Sequence, residues 1–245
     1  ILWPMIFASG HEIAFAHTSF KWTNLASHNA GVTVAIVGIA KPAPKIRRLF
    51  SITDEGETVV KDVAHINAYL VPGANVVVEK LPCTLSHQSE MSFGNKPVDG
   101  GHLLLTHDEV QELRLTADQS SKFIRKILGS AEFIRGLERF CIWAKDEDVI
   151  EIKSIGPLTK RLQAVNKMRL DSTKAATVAL ANTPHKFGEV RQTGNETAII
   201  VPRVSSESRS YLPVGLLSAQ GAIVADSAFA LYDAPLWNMA LIASR

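Results

Sequence analysis

The sequence predicts an α/β chain, and three observations carry that expectation. A β-prone alternating run at residues 12–17 precedes a nearly continuous apolar run at 32–39, which reads as two buried strands. Residues 158–170 place apolar side chains at intervals of three and four, the spacing of a helix with one buried stripe. Residues 198–204 and 211–217 are two strong strand candidates joined by the polar stretch 205–210, the pattern of a hairpin. With 245 residues, 46% apolar and 20% charged, the chain has material for one large or two small cores, and disorder throughout is excluded.

The remaining elements follow in order. The two N-terminal strands are joined by residues 18–31. Pro72-Gly73 marks a turn before the β-branched run 75–79, and the polar, Gly-rich stretch 86–101 is a loop. A helix is expected over 107–114, where Asp108 and Glu109 suit the positive end of its dipole. Residues 120–128 are also expected to be helical. Gly129-Ser-Ala-Glu-Phe133 then reads as an imperfect helix start, and 140–144 as a strand. In the helix at 158–170, Leu158, Leu162, Val165 and Met168 make the stripe, and Lys160, Arg161, Lys167 and Arg169 lie off it. Helical character continues over 171–181 until Thr183-Pro184 ends it. Pro235 stands as a first-turn proline of a last helix. That helix has no Gly or Asn cap, and the chain opens Ile1-Leu-Trp-Pro4 without Met or a basic leader. Both features are expected of a piece of a longer protein. The competing expectation is a processed chain with a frayed end.

The formal charge of +2 hides a division. Residues 1–53 carry five basic and one acidic side chain, 54–118 four and eleven, and 119–245 seventeen and twelve. The step near Phe50, just after Lys41-Pro-Ala-Pro-Lys45, suggests a first domain at 1–45, a linker at 46–60 and a second domain at 61–245. Residues 157–203 hold eight Lys/Arg against three Asp/Glu. Such a bias suits either a polyanion-binding face or a solvated helix face. The uncharged stretch 31–40 is too short to span a bilayer, so no membrane partner is expected. Cys83 and Cys141 are the only cysteines, which excludes a disulfide scaffold and suits a reducing cytoplasm.

Several chemistries are missing. No two glycines stand one residue apart, there is no Walker-type loop and no Gly-x-Ser-x-Gly elbow, and neither cysteine has metal-ligand spacing. No metal site is expected. His11 and His17 would lie about 20 Å apart along one strand, too far to share an ion with Glu12. His102, His107 and Asp108 fit a capped helix start. Glu151-Ile-Lys153 has the spacing of a metal nuclease pair but lacks a suitable upstream Asp, so a surface charge cluster is the better reading.

Five ordered segments carry a family resemblance. They are Phe15-Ala-His-Thr-Ser-Phe-Lys-Trp-Thr-Asn24, Ala30-Gly-Val-Thr-Val-Ala-Ile-Val-Gly38, Gly129-Ser-Ala-Glu-Phe-Ile-Arg-Gly136, Pro184-His-Lys-Phe-Gly-Glu-Val-Arg191 and Val201-Pro-Arg-Val-Ser-Ser-Glu207. Together they resemble the C-terminal half of MmeI-like bacterial DNA adenine methyltransferases of restriction–modification systems. The resemblance implies the terminal strands of a Rossmann-like methyltransferase sheet at 1–45, then an α+β target-recognition domain. It implies sequence-specific recognition of duplex DNA for an S-adenosylmethionine-dependent adenine-N6 methyltransferase. The catalytic motifs and the cofactor site would belong to an upstream domain of the same chain, so this segment by itself is expected to hold no catalytic residue and bind no cofactor. A noncatalytic protein-interaction module of such a system is the alternative.

The resemblance also implies two sites. Phe20 and Trp22 lie in the segment that borders the active site and could stack on a flipped base, an interaction of about 1–3 kcal/mol. Core packing beside the sheet is the competing role. The hairpin around Arg203, Ser205, Ser206, Glu207 and Arg209 would read bases, because Arg grips guanine O6 and N7 and Glu accepts from cytosine N4. An ion pair between Glu207 and an Arg competes with that. Lys160, Arg161, Lys167, Arg169, Lys186 and Arg191 form the pool of phosphate contacts. The turn at Pro184-His-Lys-Phe-Gly188 either approaches DNA or merely stops a helix.

Overall fold

The computed structural model describes residues 2–22, 32–53, 55–79, 81, 88–206 and 209–244. The chain divides into two units, Ile1–Pro82 and Cys83–Arg245.

In the first unit a short helix α1 (Leu2–Ala8) precedes β1 (Glu12–Trp22), β2 (Val32–Ala40), β3 (Arg47–Ile52) and β4 (Thr58–Val63), which form one sheet in the order β2-β1-β3-β4. β1 runs antiparallel to β2 and parallel to β3. Ile13 and Ala16 are both fully buried although three residues apart, because the pairing slips between Ile13 and Phe15 and returns the next side chains to the core face. The Phe15 ring covers Gly38 so closely that a Cβ there would lie 2.0 Å from it. β2 departs from the expected buried strand, since Val32, Ile36 and Ile39 are each more than 40% exposed. The segment 46–60, expected to be a linker, contributes β3 and part of β4 instead. Its strands are held by Arg47, buried at 5% exposure, whose guanidinium bonds the Glu12 carboxylate and the Ala64 carbonyl. A proline-rich step in charge marks a turn as readily as a boundary.

In the second unit the elements are β5 (Ser92–Phe93), β6 (Leu104–Leu105), α2 (His107–Glu112), α3 (Ala117–Phe123), β7 (Ile124–Leu128), α4 (Ser130–Arg135) and β8 (Phe140–Ile142). There follow α5 (Val149–Ser154), α6 (Gly156–Leu170), α7 (Ala175–Ala179), β9 (Thr197–Pro202), β10 (Gly215–Ser218), β11 (Ala222–Val224), β12 (Ala228–Tyr232) and α8 (Trp237–Ala243). Two sheets result, in the orders β10-β9-β12-β5 and β11-β7-β8-β6. The main core gathers Phe123, Ile127, Ile142, Ile152, Leu158, Leu162 and Val165. α2 opens on a reciprocal cap. The Glu109 N–H donates to Thr106 Oγ1 at 3.2 Å, and the Thr106 N–H donates to Glu109 Oε2 at 2.8 Å.

Three elements differ from expectation. The helix expected over 120–128 ends at Phe123, and Ile124–Leu128 is a strand. Its partners, β8 antiparallel and β11 parallel, come from residues 140–142 and 222–224, so the strand is set by distant pairing rather than by local pattern. The helix expected to continue over 171–181 breaks at Asp171 and resumes as α7 and a 3₁₀ turn at Leu180–Asn182. The second hairpin strand begins at Gly215 rather than 211, so the connection runs over 203–214 and leaves Tyr211 and Leu212 exposed.

Candidate nucleic-acid interface

The β9–β10 hairpin and α4 form one assembly. Gly215 has no side chain, and the Phe133 ring of α4 lies against it; a Cβ there would stand 2.7 Å from Phe133 Cε2. Ser130 Oγ donates to the Ser227 carbonyl and accepts the Arg203 N–H at 2.9 Å. Both ends of the contact are therefore fixed, the start of α4 and the exit of β9. Gly136, at φ 67°, closes α4 in the left-handed region that glycine tolerates.

Arg203 leaves β9 with its guanidinium carbon 4.8 Å from the centre of the Phe93 ring and 5.9 Å from that of Phe229. The two rings are themselves 5.0 Å apart. One guanidinium N–H donates to the Asp226 carbonyl at 3.2 Å. The rest of the fork has no ion-pair partner among the described residues. An Arg so held is pre-organised, because the rings and one bond fix its plane while most of its donors are uncommitted.

Beside it a cleft of about 530 Å³ lies between α4 and the hairpin connection, lined by Ser130, Ile134 and Arg135 on one wall and Val204, Ser205, Ser206 and Arg209 on the other. Ser205 Oγ is buried there without a hydrogen-bond partner among the described residues. The Arg209 N–H donates to the Ser206 carbonyl at 3.1 Å, which closes a turn. Arg209 itself is exposed. Glu207 lies outside the described residues. The hairpin thus brings Arg203, Ser205, Ser206 and Arg209 together. Arg135 and Phe93 join them unforeseen: one stands in a helix remote in sequence, the other in a stretch read as loop.

The phosphate pool separates. Lys160 and Lys167 are exposed and unpaired with any described carboxylate. Lys186 pairs with Asp146, which also takes His185 Nε2 at 2.9 Å. Lys186 first, then His185, hold that carboxyl below its ordinary range. Arg191 pairs with Glu189 at 2.9 Å on the surface. Arg161 is largely committed, to Glu109 at 2.7 Å and to the His102 carbonyl at 3.1 Å. Arg169 corrects the sequence reading outright. It is fully buried, and its donors reach five carbonyls, those of Pro97, Val98, Leu180, Thr183 and Lys186, at 2.7–3.0 Å. Burial pushes its guanidinium pKa down. A side chain enclosed this way cannot reach DNA; it ties the end of α6 to two loops.

The segment at 184–188 turns inward. His185 and Phe187 are 5% and 4% exposed, and the Phe187 ring meets Trp143 edge-on at 5.1 Å. Glu151 sits on α5 rather than on a strand, at 2.6 Å from Lys122, which also holds Asp148 at 2.8 Å. Glu12 is bound to Arg47, so it is not available as a partner for His11 or His17. Among the described residues no three His, Cys, Asp or Glu side chains gather as a metal site.

In the first unit, Phe20 is half-buried and Trp22 is 53% exposed, with ring centres 6.3 Å apart. They stand opposite Val34 and Val32 at the end of β1. A cleft nearby is lined by Phe15, His17, Ile46, Arg48 and Phe50, with the His17 and Phe50 rings stacked at 4.3 Å. No helix of the described residues is long and apolar enough to cross a membrane.

A sheet fragment followed by an α+β unit that presents arginines and serines on one hairpin has the make-up of a target-recognition region attached to the end of a methyltransferase domain. Residues 72–245 match the MmeI target recognition domain, and residues 1–51 match the MmeI DNA-methyltransferase domain. The chain belongs to the MmeI family. It is 36% identical over 245 residues to DNA methyltransferase A of Bacillus subtilis (strain 168), covering 100% of this chain and 27% of that protein. A solved structure, described as Type IIL restriction-modification enzyme MmeI in complex with DNA, superposes with a TM-score of 0.83 at 30% identity. That match covers 99% of this chain and 32% of the other. The chain therefore spans about a third or less of the length of these relatives.

Proposed function

We propose that the second unit reads sequence in duplex DNA for an S-adenosylmethionine-dependent adenine-N6 methyltransferase, whose catalytic and cofactor-binding parts lie in an upstream domain of the same protein. The observation that carries this reading is the hairpin assembly: Arg203 fixed over Phe93 and Phe229, with Arg209 and Ser205 on the adjoining connection. Hairpin-borne Arg side chains suit guanine edges, and hydroxyls and backbone N–H groups suit phosphates. The relative solved in complex with DNA supports the choice of partner. Phe20 and Trp22 are assigned the flipped base, with Trp22 the more accessible ring. Lys160 and Lys167 are the first phosphate contacts, because no described carboxylate competes for them; Lys186 and Arg191 would have to exchange weak exposed ion pairs for phosphate.

The test is binding of the intact protein to a labelled duplex of random sequence, read by fluorescence anisotropy over about 50 to 200 mM salt. Affinity that falls steeply with salt is expected. No binding even at the lowest salt would reject the reading and favour a protein-interaction module.

A further inference from the structure

We propose that Arg135 grips a phosphate of the duplex, on the wall of the cleft opposite the connection that carries Arg209; this rests on the DNA-recognition reading above. The cleft is built for an anion. Its described lining holds Arg135, Arg209 and the Ser205 hydroxyl, and no described carboxylate. Ser205 Oγ is buried there with no hydrogen-bond partner, and neither arginine forms an ion pair, among the described residues.

Arg135 is exposed and makes no ion pair with any described residue. The carboxylate of its own helix is already committed. Glu132 accepts the Gly129 N–H at 3.0 Å and faces Arg139 at 3.5 Å. Position is fixed as well as charge. The Ser130 bonds and the seat of Phe133 on Gly215 lock α4 against the hairpin, so the last turn of α4 stays at the mouth of the cleft. Arg135 stands on the helix, across from the loop assigned to the bases, which makes the backbone the nearer target.

The experiment uses the intact protein, the same labelled random-sequence duplex and a panel of labelled duplexes of defined sequence. Arg135→Gln should lower the slope of log affinity against log salt by about one unit and weaken low-salt binding roughly tenfold for every sequence. Arg135→Lys should restore the slope, because a phosphate needs charge rather than a planar fork. Thermal unfolding midpoints of both variants should match the parent's. An unchanged slope in Arg135→Gln, beside a steep slope in the parent, overturns the proposal and leaves the recognition reading standing. A loss confined to certain sequences overturns it in favour of base contact. A parent without salt-dependent binding overturns both.

Discussion

The guanidinium of Arg203 lies over the Phe93 ring at 4.8 Å, while its main-chain N–H is bonded to Ser130 Oγ at 2.9 Å. One residue is thus held at its backbone by a helix of one segment and at its tip by an edge strand of another. Holding an Arg in advance reduces the entropy lost when it meets a base.

Arg203→Lys keeps the charge but gives up the stacked plane and the two-pronged donor. Sequence discrimination should fall by about 1–3 kcal/mol at one base pair, while affinity for random duplex changes little. Arg209→Ala and Glu207→Ala should likewise alter preference more than total affinity. Dissociation constants for a matched duplex and its single-pair variants decide this. A uniform loss across all of them would make these residues backbone contacts.

Much of the fold was legible because local pattern and tertiary need agreed. The stripe of Leu158, Leu162 and Val165 is buried along α6, and the acidic start at Asp108 and Glu109 is a helix start. Where they disagreed, the sequence misled. Residues 124–128 contain good helix formers, yet they pair with residues 96 positions away in one strand and 14–18 away in another. Arg169 looked like a surface charge because Arg usually is one; five carbonyls from distant loops converge on it, and no local pattern announces them. The candidate site was half legible for the same reason. Arg203 and Arg209 stand within one motif, whereas Phe93 and Arg135 reach the site only through β5–β12 pairing and the seat of α4.

The buried Arg169 should matter for folding and not for DNA. Arg169→Met removes every donor that serves the five carbonyls, each of which is costly to leave unmet, so a loss of at least about 3 kcal/mol in unfolding free energy is expected. Urea unfolding measures it. Where folded protein can still be obtained, its salt slope for DNA should equal the parent's; a slope reduced by about one unit would return Arg169 to the phosphate pool.

Phe20 and Trp22 separate by exposure. Trp22→Ala should leave stability within about 0.5 kcal/mol, as exposed substitutions do, and slow methylation by the intact protein. Loss of one stacked ring, about 1–3 kcal/mol, corresponds to roughly 5-fold to 150-fold in rate. Phe20→Ala should cost stability as well, since Phe20 is half-buried. Methylation rates with unfolding curves settle the roles; an unchanged rate in either variant, with lost stability, would assign that ring to packing.

Tyr232 predicts how the second unit behaves in alkali. Burial, and then the nearby Glu196 carboxylate, push its phenol up to about 12, against a smaller opposing pull from the Asn95 side chain. The unfolded chain ionises near the ordinary tyrosine value of about 10, so between those values it binds fewer protons than the folded chain. Stability is therefore fully present below about pH 10 and falls as pH rises towards 12. Buried Cys141 shifts in the same direction, because desolvation raises its thiol, and its share of the loss begins at lower pH. Tyr232→Phe should flatten the upper part of the decline, since it removes the phenol whose ionisation drives it. Urea midpoints of parent and variant across this range measure the difference. A variant as alkali-sensitive as the parent would place the loss on other groups.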